Sequence, residues 1–427
     1  MSSLLIRGGH VISPEDQLDG ELDVLVEDGV IRQIAPEISA TADEVLNAAG
    51  CVVSPGLVDI HVHLREPGGE ISETLETGLE AAVAGGFTAV CPMPNTKPVM
   101  DSPGLVHALI QKAQAIGLAR LLPIAAVSMG SQGQSLTDLP ALAAAGAVGF
   151  SDDGRAVRTA GLLKRALEVA RELGAPVMDH CEDPSLSVSG VINESPVSRQ
   201  LKVGGIPNLS EDVCVARDLE VAGAVGGRLH VCHVSTARAV ELVRAAKRRG
   251  LRVTCEATPH HFTLTDQAVL EQGTNAKVNP PLRSASDLEA VVEGLRDGTV
   301  DAIASDHAPH APELKAKPLA GDSPFGLIGL ETALGLALTR LVHTGKISMW
   351  HLVALLSANP ARVINQPYGR LSVGGPADIT IVDPELQWTY HAAAGRSKSR
   401  NSPFEGWQLK GAAVATVVGG KVVYRRT

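Results

Sequence analysis

The sequence predicts an α/β protein: a (β/α)8 barrel of the TIM type that carries a small β domain formed by both chain termini. Between residues 55 and 365, apolar runs of strand length alternate with amphipathic helical stretches. About eight such units in roughly 250 residues are typical of this barrel. Residues 1–54 and 366–427 instead show short strands joined by tight turns. We therefore expect one barrel domain at 55–365 and one β domain made from 1–54 plus 366–427.

The two chain ends share the pattern of a β meander. Residues 27–29 (Glu-Asp-Gly) separate two apolar runs, and an acidic residue before glycine in that position is typical of a hairpin. Near the C-terminus, the runs 377–382, 414–418 and 421–424 repeat the pattern, with two glycines between the last two. Neither end alone offers much hydrophobic core, so we expect the two ends to pair into one sheet.

The barrel strands are predicted from the apolar runs that separate the helical stretches. They are 57–62, 87–91, 121–127, 147–150, 176–180, 229–233, 252–257 and 300–305. Amphipathic periodicity predicts helices between them, for example at 160–173 and 236–249. The alternative, a doubly wound sheet, would favour a glycine-rich phosphate loop, and the sequence contains none.

Composition excludes several classes of function. Of 427 residues, 44% are hydrophobic and 20% are charged, which is ordinary globular composition. The net charge of -10 argues against nucleic acid or an anionic membrane as the main partner. Six cysteines are scattered without paired spacing, as is common in a reducing compartment. Because we find neither a signal-peptide pattern nor a run of about 18 apolar residues, we expect a cytoplasmic protein.

Two histidines, His61 and His63, stand at the end of the first predicted barrel strand. Alternate side chains of a strand project to one face, so both imidazoles point the same way. Two neutral imidazoles converging from a strand end suit a divalent cation such as zinc. Arg65 follows two residues later and offers a planar fork for a substrate carboxylate. The segment therefore predicts a metal site with an anion-binding group beside it.

Four other predicted strands end in a residue that can bind a metal. Asp153 follows the fourth strand, His180 ends the fifth, His233 ends the sixth, and Asp306 follows the eighth. In barrels of this type the active site lies at the C-terminal ends of the strands. We therefore expect these side chains to share one rim with His61.

Imidazoles together with carboxylates favour two zinc ions or similar metals that share a bridging ligand. His61 and His63 would hold one ion, and His180 and His233 would hold the other. A carboxylate must then bridge the pair, and Asp153 is the candidate at the right strand end. The sequence thus predicts one or two bound zinc ions, with two favoured.

Asp306 lies on the last strand, where it could touch a metal and also accept and return a proton. Each predicted ligand has a structural alternative. A lone histidine at a strand end is often a hydrogen-bonded rim residue, and Asp153 could be a turn residue before Gly154. We interpret His230, at the start of its strand, and the pair at 260–261 as structural.

On these residues the chain resembles the amidohydrolase superfamily and, within it, the class I dihydroorotases, along its whole length. Hydantoinases and allantoinases carry a carboxylated lysine where this sequence has Asp153. The motifs that support the resemblance are HVHLREPG at 61–68, MPNTKP at 93–98, FSDDG at 150–154, HCED at 180–183, HVS at 233–235, NPPLR at 279–283, SDHAPH at 305–310, PFGLIGLET at 324–332 and RNSPF at 400–404.

The resemblance implies a zinc-dependent enzyme of de novo pyrimidine (UMP) biosynthesis that reversibly cyclises N-carbamoyl-L-aspartate to L-dihydroorotate with loss of water. Asp306 would move the proton. Arg65, Asn95 and His310 would hold the substrate carboxylate, and Asn279 with the backbone of 325–326 would bind the ring amide groups. The full set of implied substrate contacts is His63, Arg65, Asn95, Asn279, His310, Phe325 and Gly326.

Two other functions are compatible with parts of the sequence. The first is another cyclic amidohydrolase, an allantoinase or hydantoinase, against which Arg65, Asp153 and Asn279 argue. The second is a non-catalytic homologue that scaffolds aspartate carbamoyltransferase, against which the complete ligand set argues. The resemblance also allows a homodimer or association with aspartate carbamoyltransferase. Segment 311–323, polar and rich in Pro, Lys and Gly, is either a mobile loop over the site or a plain surface loop.

Overall fold

A computed structural model describes residues 3–427 of the chain. Its strands, in chain order, are β1 Ser3–Ser13, β2 Leu18–Glu27, β3 Val30–Ala35, β4 Glu44–Asn47, β5 Val52–Pro55, β6 Leu57–Val62, β7 Phe87–Pro92, β8 Arg120–Leu121, β9 Ile124–Ala126, β10 Gly149–Ser151, β11 Val177–Asp179, β12 Ile192–Asn193, β13 Gly205–Ile206, β14 Leu229–Val231, β15 Val253–Ala257, β16 Ala302–Ile303, β17 Ile379–Thr389, β18 Gln408–Val418 and β19 Lys421–Arg425.

The α-helices are α1 Leu75–Ala84, α2 Pro103–Ile116, α3 Leu139–Ala144, α4 Ala160–Leu173, α5 Pro196–Leu201, α6 Asn208–Val225, α7 Ala237–Arg248, α8 Ala268–Gln272, α9 Ala285–Arg296, α10 Pro312–Lys315, α11 Leu330–Ala337, α12 Met349–Leu356 and α13 Ala358–Val363. Single 3-10 turns occur at Met129–Ser131, Gly273–Ala276 and Ala392–Ala394, and a π-helical turn follows α11 at Leu338–Val342. Among residues 3–427, no helix combines the length and apolar character needed to cross a bilayer.

Parallel strands form the predicted barrel. One parallel sheet has the order β9-β10-β11-β14-β15-β16, and another has the order β6-β7-β8. A parallel bridge between Val62 and His307 connects the first barrel strand to the segment after the last one, and His63 N donates to His307 O at 2.7 Å. The sheet is thereby closed, and the predicted (β/α)8 barrel is confirmed.

The third barrel strand departs from the prediction. The predicted strand 121–127 is divided into β8 and β9, because Pro123 lies between them and has no N–H to donate. The ladder continues across the break, since Leu122 N donates to Val90 O and Val148 N donates to Pro123 O, both at 2.9 Å.

The small β domain is also confirmed. Its sheet has the order β19-β18-β17-β5-β1-β2-β3, with β4 paired to β1. Antiparallel pairing of β17 with β5 joins the C-terminal part of the chain to the N-terminal part. A separate hydrophobic cluster that includes Ile6, Val24, Ile379 and Val417 lies on this sheet. The exact boundaries at 1–54, 366–427 and 55–365 stay a prediction.

Two barrel strands were predicted to extend further toward the C-terminal rim of the barrel than they do. The predicted strands 176–180 and 229–233 end at Asp179 and Val231, so His180 and His233 follow their strands. His233 has φ of 32°, in the left-handed region. The backbone turns at this residue, although Val234 N still donates to Glu256 O at 2.9 Å. Period-two alternation cannot anticipate such a turn.

The helix predictions were better, because local signals mark helix ends. The predicted helix 160–173 coincides with α4. Thr159 caps its N-terminus by accepting from Leu162 N, and Gly174 ends it at φ of 69°. The other predicted helix, 236–249, includes both caps of α7, which itself spans Ala237–Arg248.

The hydrophobic core lies in two layers around the barrel wall. The larger cluster includes Phe87, Phe150 and Leu167 and fills the space between strands and helices. A smaller cluster draws side chains from strands around the barrel and from α13, among them Cys91 and Met178. It fills the barrel interior, so the strand ends above it are held on a rigid floor.

Candidate active site

A polar cavity of about 300 Å³ opens at the C-terminal ends of the barrel strands. Every residue predicted for the site lines this cavity except His61, which is fully buried beside it. The lining residues are His63, Arg65, Asn95, Asp153, Gly154, His180, His233, Asn279, Asp306, Ala308, His310, Pro324, Phe325 and Gly326.

Asp153 lies at the centre of four imidazoles. Its Oδ1 atom is 3.3 Å from His61 Nε2, and its Oδ2 atom is 3.5 Å from His63 Nε2. On the other side, Oδ1 is 3.6 Å from His180 Nδ1 and 3.7 Å from His233 Nε2. Asp153 is therefore positioned between the two histidine pairs, and its role as a bridging carboxylate stays a prediction.

Three atoms at this centre are unsatisfied. His61 Nε2, Asp153 Oδ1 and His233 Nδ1 are buried, and none of them has a hydrogen-bond partner among residues 3–427. Buried polar groups without partners are costly and usually indicate an absent ligand or water. Imidazole nitrogens with carboxylate oxygens are a donor set that zinc accepts. The residues present therefore fit a divalent cation.

Asp306 belongs to the same cluster. Its Oδ1 atom lies 3.1 Å from His63 Nε2 and 3.8 Å from His61 Nε2. Burial raises the pKa of Asp306, but the hydrogen bond with His63 and the neighbouring imidazole charges outweigh it and hold the pKa below its usual range. The carboxylate is thus ionised and faces both the imidazoles and the cavity.

Glu256 orients the first histidine, and sequence reasoning missed it. Its Oε1 atom accepts from His61 Nδ1 at 2.6 Å, and its Oε2 atom lies 3.1 Å from His230 Nε2. Burial raises the pKa of Glu256, yet the charge on His61 and the hydrogen bonds outweigh it and lower the pKa to about 2. His61 Nδ1 is thereby occupied, which leaves Nε2 for a metal.

A signal for Glu256 did exist in the sequence. It is an acidic residue inside a strand of otherwise small and apolar residues, and it is fully buried. A buried carboxylate requires a partner. His230, assigned a structural role from sequence, is one of those partners and therefore supports the site from below.

Two asparagines orient the outer faces of the histidines. Asn95 Oδ1 lies 3.0 Å from His63 Nδ1, so Nδ2 of Asn95 is left to reach the cavity. Asn279 Nδ2 donates to Glu182 Oε2 at 2.6 Å, and the same oxygen lies 3.3 Å from His180 Nε2. Asn95 therefore orients His63 directly, whereas Asn279 acts on His180 through Glu182.

Arg65 supplies the positive charge of the cavity wall. It is the one lysine or arginine among the cavity-lining residues of 3–427. Its Nε atom donates to Pro309 O at 3.0 Å, and Nη2 lies 3.2 Å from His310 Nε2. Burial lowers the pKa of Arg65 to about 10, so the guanidinium stays charged at neutral pH. This wall suits a carboxylate ligand.

The imidazole of His310 is neutral and donates one hydrogen bond. Its Nε2 donates to Phe325 O at 2.7 Å, and its backbone N donates to Asn401 Oδ1 at 3.0 Å. Burial, followed by the charge on Arg65, lowers the pKa of His310 to about 2. The imidazole therefore adds no charge to the site at neutral pH.

The backbone of Phe325 and Gly326 lines the cavity but is largely engaged. Gly326 N donates to Lys277 O at 2.9 Å, while Phe325 O accepts from His310. The Phe325 N–H has no acceptor in the described part of the chain. Of the two amide groups predicted to bind a substrate ring, the Phe325 N–H is thus the available donor.

The pair at 260–261 lies beneath the rim and does not line the cavity. The two rings are 4.5 Å apart, and His261 Nε2 lies 3.0 Å from Pro280 O. Burial lowers the pKa of His260 to about 4. Their interpretation as structural stays a prediction.

Comparison with known proteins gives one consistent family. The Dihydro-orotase-like family matches residues 50–239. A dihydroorotase of Pelotomaculum thermopropionicum is 51% identical over 421 residues, with 98% of both chains covered. A dihydroorotase of Geobacter sp. (strain M21) is 47% identical over 429 residues, with 99% of both chains covered.

Solved structures agree on the fold. An L-hydantoinase (dihydropyrimidinase) from Arthrobacter aurescens is 29% identical, with a TM-score of 0.89 over 100% of this chain and 96% of that one. A dihydropyrimidinase from Brevibacillus agri NCHU1002 is 25% identical, with a TM-score of 0.84 over 99% and 95% of the two chains. Sequence identity is thus much higher to the dihydroorotases than to these hydantoinase-type structures.

Proposed function

The chain belongs to the dihydroorotase family, and we propose that it interconverts N-carbamoyl-L-aspartate and L-dihydroorotate. Ring closure releases water, and the reverse reaction hydrolyses the ring amide. The observation that carries the proposal is Asp153 between two pairs of histidines, in a cavity whose wall presents Arg65. An aspartate bridge with a carboxylate-binding arginine fits an acidic substrate, and it separates this site from the hydantoinase and allantoinase pattern.

We propose zinc as the resident metal, with two ions favoured. His61, His63, Asp153 and Asp306 would hold one ion, and His180 and His233, with Asp153 shared, would hold the other. When bound, zinc supplies a Lewis acid for the ring carbonyl and lowers the pKa of water. All remaining steps fall to side chains of this chain.

Arg65 would bind the substrate carboxylate. The Nε donor is committed to Pro309 O, so the Nη1 and Nη2 groups are left for the ligand. Asn95, in the cavity wall, adds a neutral donor next to that fork, and His310, whose N–H is committed to Phe325 O, lines the wall beside it. Because the wall carries one positive charge, the carboxylate would fix how the ring lies above Asp306.

Asp306 would move the proton. In hydrolysis, its ionised carboxylate takes a proton from the attacking water as the new C–O bond forms. The same proton then passes to the ring nitrogen as the C–N bond breaks. In cyclisation, the nitrogen loses a proton as the C–N bond forms, and this proton together with the one on Asp306 leaves with the departing carboxylate oxygen as water. His63 Nε2 lies 3.1 Å from the Asp306 carboxylate, close enough for both groups to hold the same ion, which would keep the carboxylate oriented between these tasks.

A panel of substrates tests the proposal. Purified, zinc-loaded protein is assayed with L-dihydroorotate, N-carbamoyl-L-aspartate, hydantoin, dihydrouracil and allantoin. We expect turnover of the first two and little of the others. Preferred turnover of hydantoin, dihydrouracil or allantoin would replace the proposal with another cyclic amidohydrolase. Absence of all turnover would favour a scaffolding protein.

Partners and location stay predictions. We propose a cytoplasmic enzyme that forms a homodimer or associates with aspartate carbamoyltransferase, as the family resemblance allows. Light scattering of the purified chain, alone and mixed with aspartate carbamoyltransferase, distinguishes these assemblies.

A further inference from the structure

The side chain of Lys315 lies near the cavity but takes no part in the proposed reaction. Lys315 ends the short helix α10 and is only 5% exposed. Its Nζ atom donates to Pro324 O and to Gly326 O, both at 3.0 Å. Within residues 3–427, no carboxylate forms an ion pair with it. A buried ammonium without a counter-ion is expensive, so its two carbonyl contacts require an explanation.

The two carbonyl groups lie on either side of Phe325 in the chain. The N–H of Phe325 is the available backbone donor of the cavity segment 324–326. An ammonium has three donors and no acceptor, so it can hold both carbonyls at once. The Pro324 carbonyl belongs to the same planar peptide group as the Phe325 N–H, so fixing it orients that N–H directly. Fixing the Gly326 carbonyl restricts the backbone that follows.

The rest of this segment is held by weaker, neutral contacts. Asn401 Nδ2 donates to Gly326 O at 3.1 Å, and Gly326 N donates to Lys277 O. Gly326 has φ of 126°, and a Cβ there would lie 2.6 Å from Ala308 Cβ. Glycine is therefore required, and glycine has more freedom to lose than other residues. The hydrogen bond from Lys315 to the Gly326 carbonyl restricts that freedom.

A second lysine, Lys277, also donates to a backbone carbonyl, in the loop that precedes residues 324–326. Lys277 Nζ donates to Leu319 O at 3.1 Å and lies 4.8 Å from the centre of the Phe325 ring. Segment 311–323, which the sequence left open as a mobile loop or a surface loop, is thus tied down at Lys315 and Leu319. Lys317, between these points, is exposed.

We propose that Lys315 is a positioning residue for substrate: its ammonium fixes the carbonyls of Pro324 and Gly326 and so holds the Phe325 N–H where the dihydroorotate ring is bound. This inference rests on the proposed function, since it presumes that the ring occupies this cavity. Lys315 does not touch the reacting atoms. Its effect should therefore appear in substrate binding and little in the chemical step.

The test compares Lys315→Met with Lys317→Met in the full-length, zinc-loaded protein. Both variants remove one ammonium from the same segment, but only the first removes the buried anchor. For Lys315→Met we expect the KM for L-dihydroorotate to rise about tenfold, the effect of losing one charge-assisted hydrogen bond. The kcat value and the bound zinc should stay near those of wild type. Lys317→Met should match wild type throughout.

Each other outcome has a definite meaning. Equal KM values for the two variants would overturn the proposal, and so would a joint loss of kcat and zinc in Lys315→Met, which indicates a general structural role. If Lys315→Met does not fold, Lys315→Leu, which also removes every donor, is judged by the same KM and kcat criteria. An inactive wild-type protein would instead refute the proposed function, so the two failures are distinguishable.

Discussion

The Oδ1 atom of Asp153 lies 3.3 Å from the Nε2 atom of His61, and neither buried atom has a hydrogen-bond partner among residues 3–427. His61 Nδ1 is already bound to Glu256, so its free nitrogen is directed at the aspartate. Two unsatisfied donor atoms at this separation are what a shared cation would satisfy.

Replacing the central carboxylate should remove metal. We expect Asp153→Ala to bind less zinc than wild type and to lose nearly all activity, because both histidine pairs lose their shared ligand. Metal analysis of the purified variant, together with its dihydroorotate hydrolysis rate, checks this. Zinc reconstitution of wild type should also be indifferent to bicarbonate. A clear bicarbonate requirement would point to a carboxylated lysine and against Asp153 as the bridge.

Glu256 should control metal affinity although it touches no metal. In Glu256→Gln the His61 ring loses the carboxylate that fixes its tautomer, and zinc affinity should fall by about 10–100-fold. Competition with a chelator of known affinity measures this change. Glu220→Gln, at an exposed helical position, serves as the matched control. Unchanged affinity in Glu256→Gln would show that the buried network does not orient the ligand.

Arg65 should be sensitive to the loss of its planar fork. Arg65→Lys keeps the charge but cannot make two parallel contacts, so transition-state stabilisation should fall by roughly 1.5–3 kcal/mol, seen as a lower kcat/KM. Bound zinc should not change. Arg158→Lys, at an exposed position, is the control. If Arg65→Lys performs like wild type, the substrate carboxylate is bound elsewhere.

Asp306 should be required for proton transfer. Asp306→Asn keeps the shape but cannot accept a proton, and the rate should drop by ~10²–10⁴-fold. Hydrolysis needs the ionised carboxylate and cyclisation the protonated one, so the two directions should show opposite pH trends. Rates in both directions across pH measure this, with Asp322→Asn as an exposed control. Parallel pH trends would remove Asp306 as the proton carrier, and loss of zinc from Asp306→Asn would make it mainly a ligand.

Lys315 should make stability depend on pH. Burial and then the charge on Lys277 lower the pKa of Lys315 from its ordinary value to about 7. Between that pH and about 10.4, the unfolded chain keeps a proton that the folded chain has released, so folding becomes more favourable as pH rises. The stability of wild type relative to Lys315→Met should therefore increase from pH ~7 to ~9, by less than ~1.4 kcal/mol per pH unit.

Melting temperatures of both proteins at several pH values in that range check the sign. Lys317→Met, which removes an exposed lysine, should track wild type at every pH. A wild-type advantage that shrinks as pH rises would mean that the buried ammonium is stabilised in the fold, contrary to the lowered pKa.

Much of the site could be predicted because the barrel fold places the C-terminal ends of all its strands at one rim. Parallel strands end at one rim, so residues at five strand ends, such as His61 and His233, are brought together whatever the loops do. Helix ends were predictable for a similar reason, since the Thr159 cap and Gly174 are local signals.

The contacts that support the site could not be predicted from the sequence, because they join residues that lie far apart along the chain. Glu256 lies 195 residues from His61 along the chain, and no local pattern connects them. Lys315 looks like an ordinary polar residue of a surface loop until the fold buries it against Gly326. The early end of the strand before His233 likewise depends on a left-handed turn that alternation does not encode.

The most direct measurement follows activity against bound zinc. Protein stripped by a chelator is titrated with zinc in bicarbonate-free buffer, and dihydroorotate hydrolysis is recorded together with zinc bound per chain. We predict negligible activity in the stripped protein and full recovery as zinc fills the Asp153 site, with saturation near two ions per chain. Full activity of the stripped protein, or zinc binding without any recovery, would contradict the account.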